Sequence, residues 1–116
     1  LTKSPIKSIF INPGIKGAVV QVVLSEILYI EAKDHLIEIH LQTETLTSKV
    51  GLQEFLDQLA NDSFIRIHRS FVVNIDQIKS IENNNINFKT GKKAPLSATY
   101  RHELLQKIKH QTIKNS

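Results

Sequence analysis

Ile37, Ile39 and Leu41 alternate with Glu38 and His40. Successive side chains of a strand point to opposite faces, so this period of two describes a half-buried β-strand. The residues around it read the same way. Ser8-Ile9-Phe10-Ile11 is a short apolar run closed by the turn signal Asn12-Pro13-Gly14. A Val-rich stretch from Ala18 to Leu24 reads as a strand, and Ile27-Leu28-Tyr29-Ile30 as another. Ala32-Lys33-Asp34-His35 is a turn before the alternating strand. Thr43 and Glu44 make the next turn, and Thr45-Leu46-Thr47 runs back as its partner. The pattern is a meander of hairpins.

A helix interrupts it. Leu52, Phe55, Leu56 and Leu59 fall at i, i+3, i+4 and i+7 and form one apolar stripe. Ser48 is the expected N-cap, and Ala60-Asn61-Asp62-Ser63 the end. From Phe64 apolar residues alternate with basic or polar ones up to Ser70, and the run continues to Asn74. Gln77 to Ile81 is the next strand, Glu82 to Asn85 a turn, and Ile86 to Lys89 the answering strand. Thr90-Gly91 turns again ahead of Lys92 to Ser97. From about Thr99 the chain reads as a second helix, with Tyr100, Leu104, Leu105 and Ile108 on one side. Short connections favour antiparallel pairing. The expected fold class is mainly β: small antiparallel β-sheets in a meander with two short helices.

At 116 residues the chain is expected to be a single domain spanning 1–116. It has no Cys, which removes disulfides and thiolate metal sites. No apolar run approaches the roughly 20 residues that cross a bilayer, so no membrane partner is expected. Leu1-Thr2-Lys3-Ser4-Pro5 has neither an initiator Met nor an apolar signal region. The expectation is a cytoplasmic fragment of a longer protein. The formal net charge is +4. From Asn87 onward the basic residues are Lys89, Lys92, Lys93, Arg101, Lys107, Lys109 and Lys114, against the single acid Glu103. Such asymmetry suits a face that meets phosphates, and it suits equally a solvated surface with surplus Lys.

Enzyme chemistry finds little support. The four glycines are scattered, so there is no Gly-rich phosphate loop. Ser70 lies two residues from His68, a spacing that shares a strand face, but no orienting acid or oxyanion hole accompanies it. His35 and His40 would fall on opposite faces of one strand, and five scattered His do not suggest zinc. The expectation is no catalytic residue, no metal and no cofactor. The constellation that stands out is His68-Arg69-Ser70. Arg suits bidentate reading of guanine, and Ser can donate to a phosphate. Against this, His68 also fits a core position with its hydrogen bonds satisfied, and Arg69 a surface ion pair.

The segment Phe64-Ile65-Arg66-Ile67-His68-Arg69-Ser70-Phe71-Val72-Val73-Asn74 resembles the signature of LytTR domains, the DNA-binding output domains of bacterial response regulators. Ile27 to Ala32 with Asp34-His35 resembles the family's upstream strand and loop. Leu52, Phe55, Leu56 and Leu59 match its short helix, and Ile78 and Ile81 its next strand. Pro95-Leu96-Ser97 with Tyr100 resembles its last strand and terminal helix. The resemblance runs from about Ile9 to Ile108. A basic residue directly after the matched Ser is common in the family, whereas here Ala98 and Thr99 precede Tyr100-Arg101.

The resemblance implies sequence-specific binding of double-stranded DNA for transcription regulation, without an inserted recognition helix. Loop side chains enter successive major grooves, and sites are often direct repeats. The receiver domain of a two-component regulator would lie outside this chain, and a homodimer would form through that missing N-terminal region. Three contact regions are implied: Lys33 to His35, then His68-Arg69-Ser70, then Ser97 to Arg101. Arg69 is the implied base reader or phosphate clamp. His35 would meet a base edge or phosphate, with Lys33 adding charge. Arg101 would meet a phosphate near the helix N-terminus, and Ser97 would serve as a phosphate ligand or a cap. His68 would orient Arg69, and Asn74 would form a turn. The alternative is a protein-interaction or dimerisation module without sequence-specific DNA binding.

Overall fold

A computed structural model describes residues 7–59, 61 and 63–109. The expectations at Leu1 to Pro5, Ala60, Asp62 and Lys114 lie outside the described residues. Ten strands and two helices follow in the order β1 (Ser8–Ile11), β2 (Val20–Val23), β3 (Ile27–Lys33), β4 (Leu36–Leu41), β5 (Thr45–Ser48), α1 (Leu52–Leu59), β6 (Phe64–His68), β7 (Phe71–Asn74), β8 (Ile78–Glu82), β9 (Asn85–Phe88), β10 (Lys93–Pro95) and α2 (Ala98–Lys107). They form a two-stranded sheet β1-β2, a central sheet in the order β5-β4-β3-β7-β6, and a three-stranded sheet β10-β9-β8. Every pairing is antiparallel. The mainly-β expectation with two helices holds.

The central sheet is buried on both faces. On one face Ile30, Ile37, Ile39 and Val72 pack with Leu52, Phe55 and Leu59 of α1 and with Ile11 and Val22 of the first sheet. On the other, Leu28, Tyr29, Ile67 and Val73 pack with Ile86 and Phe88 of β9, Ala94, Leu96 and Leu104 of α2. Burying each such side chain fully contributes about 1.5–3 kcal/mol. A bulge explains why four apolar residues stand in a row at the start of β3. Ile27 pairs with Leu41 and Tyr29 with His40, leaving Leu28 without an opposite residue. The extra residue turns Leu28 and Tyr29 to one face while Ile27 and Ile30 stay on the other.

Asn74 is the one buried polar residue among the described core positions. Its amide donates to the carbonyls of Ile27 at 2.9 Å and Leu24 at 3.3 Å, and its Oδ1 accepts from the backbone N–H of Asp76 at 3.1 Å. It therefore closes the bend between β7 and β8 and ties it to the bend before β3, in keeping with a turn-forming role.

Several boundaries differ from the sequence reading. β3 runs on through Lys33, and the turn is only Asp34-His35. Ser48 ends β5 and does not cap α1; Gly51 precedes the helix, and its carbonyl accepts from the N–H of Phe55. The strand expected up to Ser70 stops at His68, and Arg69-Ser70 is a turn. Leu105 is 40% exposed and leaves Leu104 as the buried residue of α2. One position from Leu104 is a rotation of about 100° around a helix, enough to turn Leu105 off the buried stripe.

Candidate nucleic-acid interface

The pairing of the central sheet decides which loops meet. β3 and β6 run in one direction, and β4 and β7 return against them. The β3–β4 turn at Asp34-His35 and the β6–β7 turn at Arg69-Ser70 therefore sit at the same end of the sheet. The N–H of Ala32 donates to the carbonyl of Ser70 at 2.8 Å and extends the β3–β7 ladder up to these turns.

The third region joins them through α2. The N–H of Ser97 donates to the carbonyl of Ile67 at 2.9 Å, one residue below His68. Ser97 Oγ accepts from the N–H of Thr99 at 3.2 Å, the usual cap of a helix N-terminus. A fourth segment, absent from the sequence reading of the site, lies beside it. The N–H of Leu96 donates to the carbonyl of Asn84 at 2.7 Å, and the Arg101 guanidinium donates to the carbonyl of Asn83. The β8–β9 turn at Asn83-Asn84 thus braces the start of α2. Asn83 has a positive φ of 48°, as Asp34 has at 49°. Asn and Asp tolerate that conformation better than most residues, and it suits tight two-residue hairpins. The Glu82-Asn83-Asn84-Asn85 run signalled the turn, but nothing in the sequence said what it would touch.

Each expected site residue has a definite place here. Arg69 and His35 are exposed at the tips of their turns, and neither side chain has a hydrogen bond or ion pair among the described residues. Lys33 is half exposed, with Nζ 3.3 Å from Glu38 Oε1. His68 is partly buried. Its Nδ1 accepts from the backbone N–H of Ser70 at 3.1 Å, and its ring stands edge-on to Phe71 with centroids 5.5 Å apart. A bulge at Ile67 places it there, because Arg66 pairs with Val72 and His68 with Phe71. The bulge turns His68 to the α2 side and leaves Arg69 at the tip. The His68–Ser70 contact runs through a main-chain N–H and not through the hydroxyl, which removes the geometry of a nucleophile and its base.

Further along the same face of the sheet, away from these turns, lies a stacked group the sequence did not reveal. Tyr29 stacks on His40 at 4.2 Å between centroids and on Phe88 at 5.2 Å. Burial raises the Tyr29 pKa, with Glu31 and Glu38 adding to the effect. Burial lowers the His40 pKa, and the nearby Lys92 pushes the same way, against the opposing pull of Glu38.

Comparison with known proteins points in one direction. The family model of the LytTr DNA-binding domain matches residues 17–109. The sensory transduction protein LytT of Bacillus subtilis (strain 168) is 34% identical over 98 residues, covering 80% of this chain and 40% of that protein. LytT of Bacillus cereus is 33% identical over 95 residues, covering 78% and 39%. The transcriptional regulatory protein YpdB of Escherichia coli (strain K12) is 32% identical over 59 residues, covering 51% and 24%. A solved LytTr DNA-binding domain from Bacillus cereus superposes with a TM-score of 0.74 at 30% identity, covering 89% of this chain and 97% of that one. The chain spans about 40% of the length of the LytT relatives.

Proposed function

The chain belongs to the LytTr DNA-binding domain family, and we propose that it binds double-stranded DNA sequence-specifically to regulate transcription, as the output domain of a longer bacterial response regulator. The observation that carries this reading is the convergence of the Asp34-His35 turn, the Arg69-Ser70 turn and the start of α2 at one end of the molecule. Arg69 and His35 stand exposed there with nothing to hold them. Around them the ladder bond to Ser70 and the bond from Ser97 to Ile67 fix the backbone.

Roles follow from exposure and bonding. Arg69 reads a base edge, with guanine its best match. His35 and Lys33 contact a base or phosphate in the neighbouring groove. Arg101, braced on Asn83, turns its remaining N–H groups to phosphate. Ser97 acts through its cap and its hydroxyl proton, and His68 and Ser70 shape the turn that presents Arg69. The work is done in the cytoplasm, on sites that recur as direct repeats. A receiver domain in the rest of the regulator supplies the signal and the means of pairing two copies.

One observation favours a second reading, in which the domain also makes protein contacts. Phe10, Ile15 and Val19 are each about two-thirds exposed, and Val23 is 41% exposed, on and beside the β1-β2 hairpin. Exposed apolar groups, where they adjoin, often mark interfaces.

Selection of bound sequences from a random pool of short duplexes tests the main reading. A compact enriched motif is expected, with affinity falling steeply as salt rises because bound phosphates release counterions. Binding that enriches no motif, or that ignores duplex DNA, would overturn it.

A further inference from the structure

Glu31 of β3 and Glu38 of β4 stand directly opposite each other across the ladder. Like charges in that position repel. His40 lies on the same face, with Nε2 3.3 Å from Glu38 Oε1 and 3.9 Å from Glu31 Oε1. The three donor atoms lie within 4.8 Å of one another. A tetrahedral ion bound at about 2.0–2.2 Å holds its donors roughly 3.3–3.6 Å apart, so side-chain rotations separate this arrangement from a closed site.

The imidazole supplies an independent sign. Its Nε2 is shielded from solvent and makes no hydrogen bond, although two carboxylate oxygens lie close by. The side chain is only 13% exposed, and the ring is held flat against Tyr29 with 14° between planes. Nδ1 sits 3.4 Å from Thr45 Oγ1. In the tautomer with the proton on Nδ1, directed at that hydroxyl, the Nε2 lone pair faces the two carboxylates, and a cation between them would be favourable. Metal-bound His commonly has its other ring nitrogen fixed in this way.

We propose that Glu31, Glu38 and His40 form a binding site for a divalent cation of the zinc class. Two carboxylates balance the charge of a dication, and an imidazole nitrogen favours zinc or cobalt over magnesium or calcium. The carboxylates are each about one-quarter exposed, which gives an ion entry from solvent and leaves room for water as a further ligand. Lys33 holds the same Oε1 of Glu38 at 3.3 Å, but its side chain is half exposed and swings away when an ion arrives. Five scattered His gave no metal expectation in the sequence; the β3–β4 register brings one of them to a pair of acids.

Calorimetric titration of the whole chain with Zn²⁺ tests the site, with Mg²⁺ as the control. One equivalent of Zn²⁺ is expected to bind, and Mg²⁺ is not. Glu31→Gln and Glu38→Gln, each checked for folding by circular dichroism, are expected to weaken Zn²⁺ binding about tenfold or more. In the unaltered protein, added Co²⁺ is expected to broaden the His40 ring resonances before those of His35, His68 or His102. No Zn²⁺ binding would overturn the proposal. So would binding that both Gln variants leave unchanged, or Co²⁺ broadening centred on another His.

Discussion

The backbone N–H of Ser97 donates to the carbonyl of Ile67 at 2.9 Å, and this bond fastens the start of α2 to the end of the β6 edge strand. Ser97 Oγ caps the same helix by accepting from Thr99. Ser97→Ala keeps the first bond and removes the second. It is expected to lower the unfolding free energy by about 0.5–2 kcal/mol. Urea denaturation measures this, and Ser97→Asn, which restores a capping oxygen, is expected to recover most of it.

His68 and Ser70 form a second such device. His68 Nδ1 takes the Ser70 N–H, so the ring holds the turn that carries Arg69. His68→Ala loses the bond and the edge contact with Phe71, while His68→Asn offers an oxygen at a similar distance from the main chain. The Ala variant is expected to be less stable than the Asn variant by about 1–2 kcal/mol in thermal or urea unfolding. If, as proposed, the ring only holds the turn that presents Arg69, both are expected to select the same DNA motif as the unaltered protein.

Asn74 has the most engaged side chain in the core. Replacing it by Ala removes the amide donor from the carbonyls of Leu24 and Ile27, leaving Leu24 with the N–H of Ile27, and takes away the acceptor of the Asp76 N–H. The expected loss is about 2–3 kcal/mol, measured by urea unfolding. Asn74→Asp is expected to be at least as damaging, since a buried carboxylate has no proton to donate to either carbonyl.

These positions also mark how far the sequence could be read. Alternation at Ile37 to Leu41 disclosed β4, and the spacing of Leu52, Phe55 and Leu59 disclosed α1, because each records a single periodic environment. Bulges break that periodicity. Four consecutive apolar residues at Ile27 to Ile30 hid one, and the run through Ile67 and His68 hid another. The segments of the candidate site were named one by one through the family resemblance. Their convergence is a property of strand order, which no local pattern encodes. The bracing of Arg101 by Asn83, and the meeting of Glu31, Glu38 and His40, are likewise cross-strand facts.

His40 gives the fold a pH dependence. Burial, aided by Lys92, lowers its pKa below the ordinary value of 6.5. Between the folded and unfolded pKa values the unfolded chain binds more protons, so stability rises with pH there. This contribution is complete above about pH 6.5 and is lost as the pH falls below it. Urea midpoints taken with a chelator present are expected to fall between about pH 7.5 and about pH 5.5. His40→Asn is expected to flatten that part of the profile. Direct titration of the His40 ring by NMR checks the direction of the shift.

The account turns on Arg69, exposed at the tip of a turn that its neighbours hold in place. The most direct test compares Arg69→Ala with the unaltered protein on the selected duplex and on random duplex, at one fixed salt concentration. A loss of about 1–3 kcal/mol on the selected site is expected, with a much smaller loss on random DNA. An equal loss on both would make Arg69 a phosphate contact, and no loss on either would contradict the placement of the DNA-reading surface at this end of the molecule.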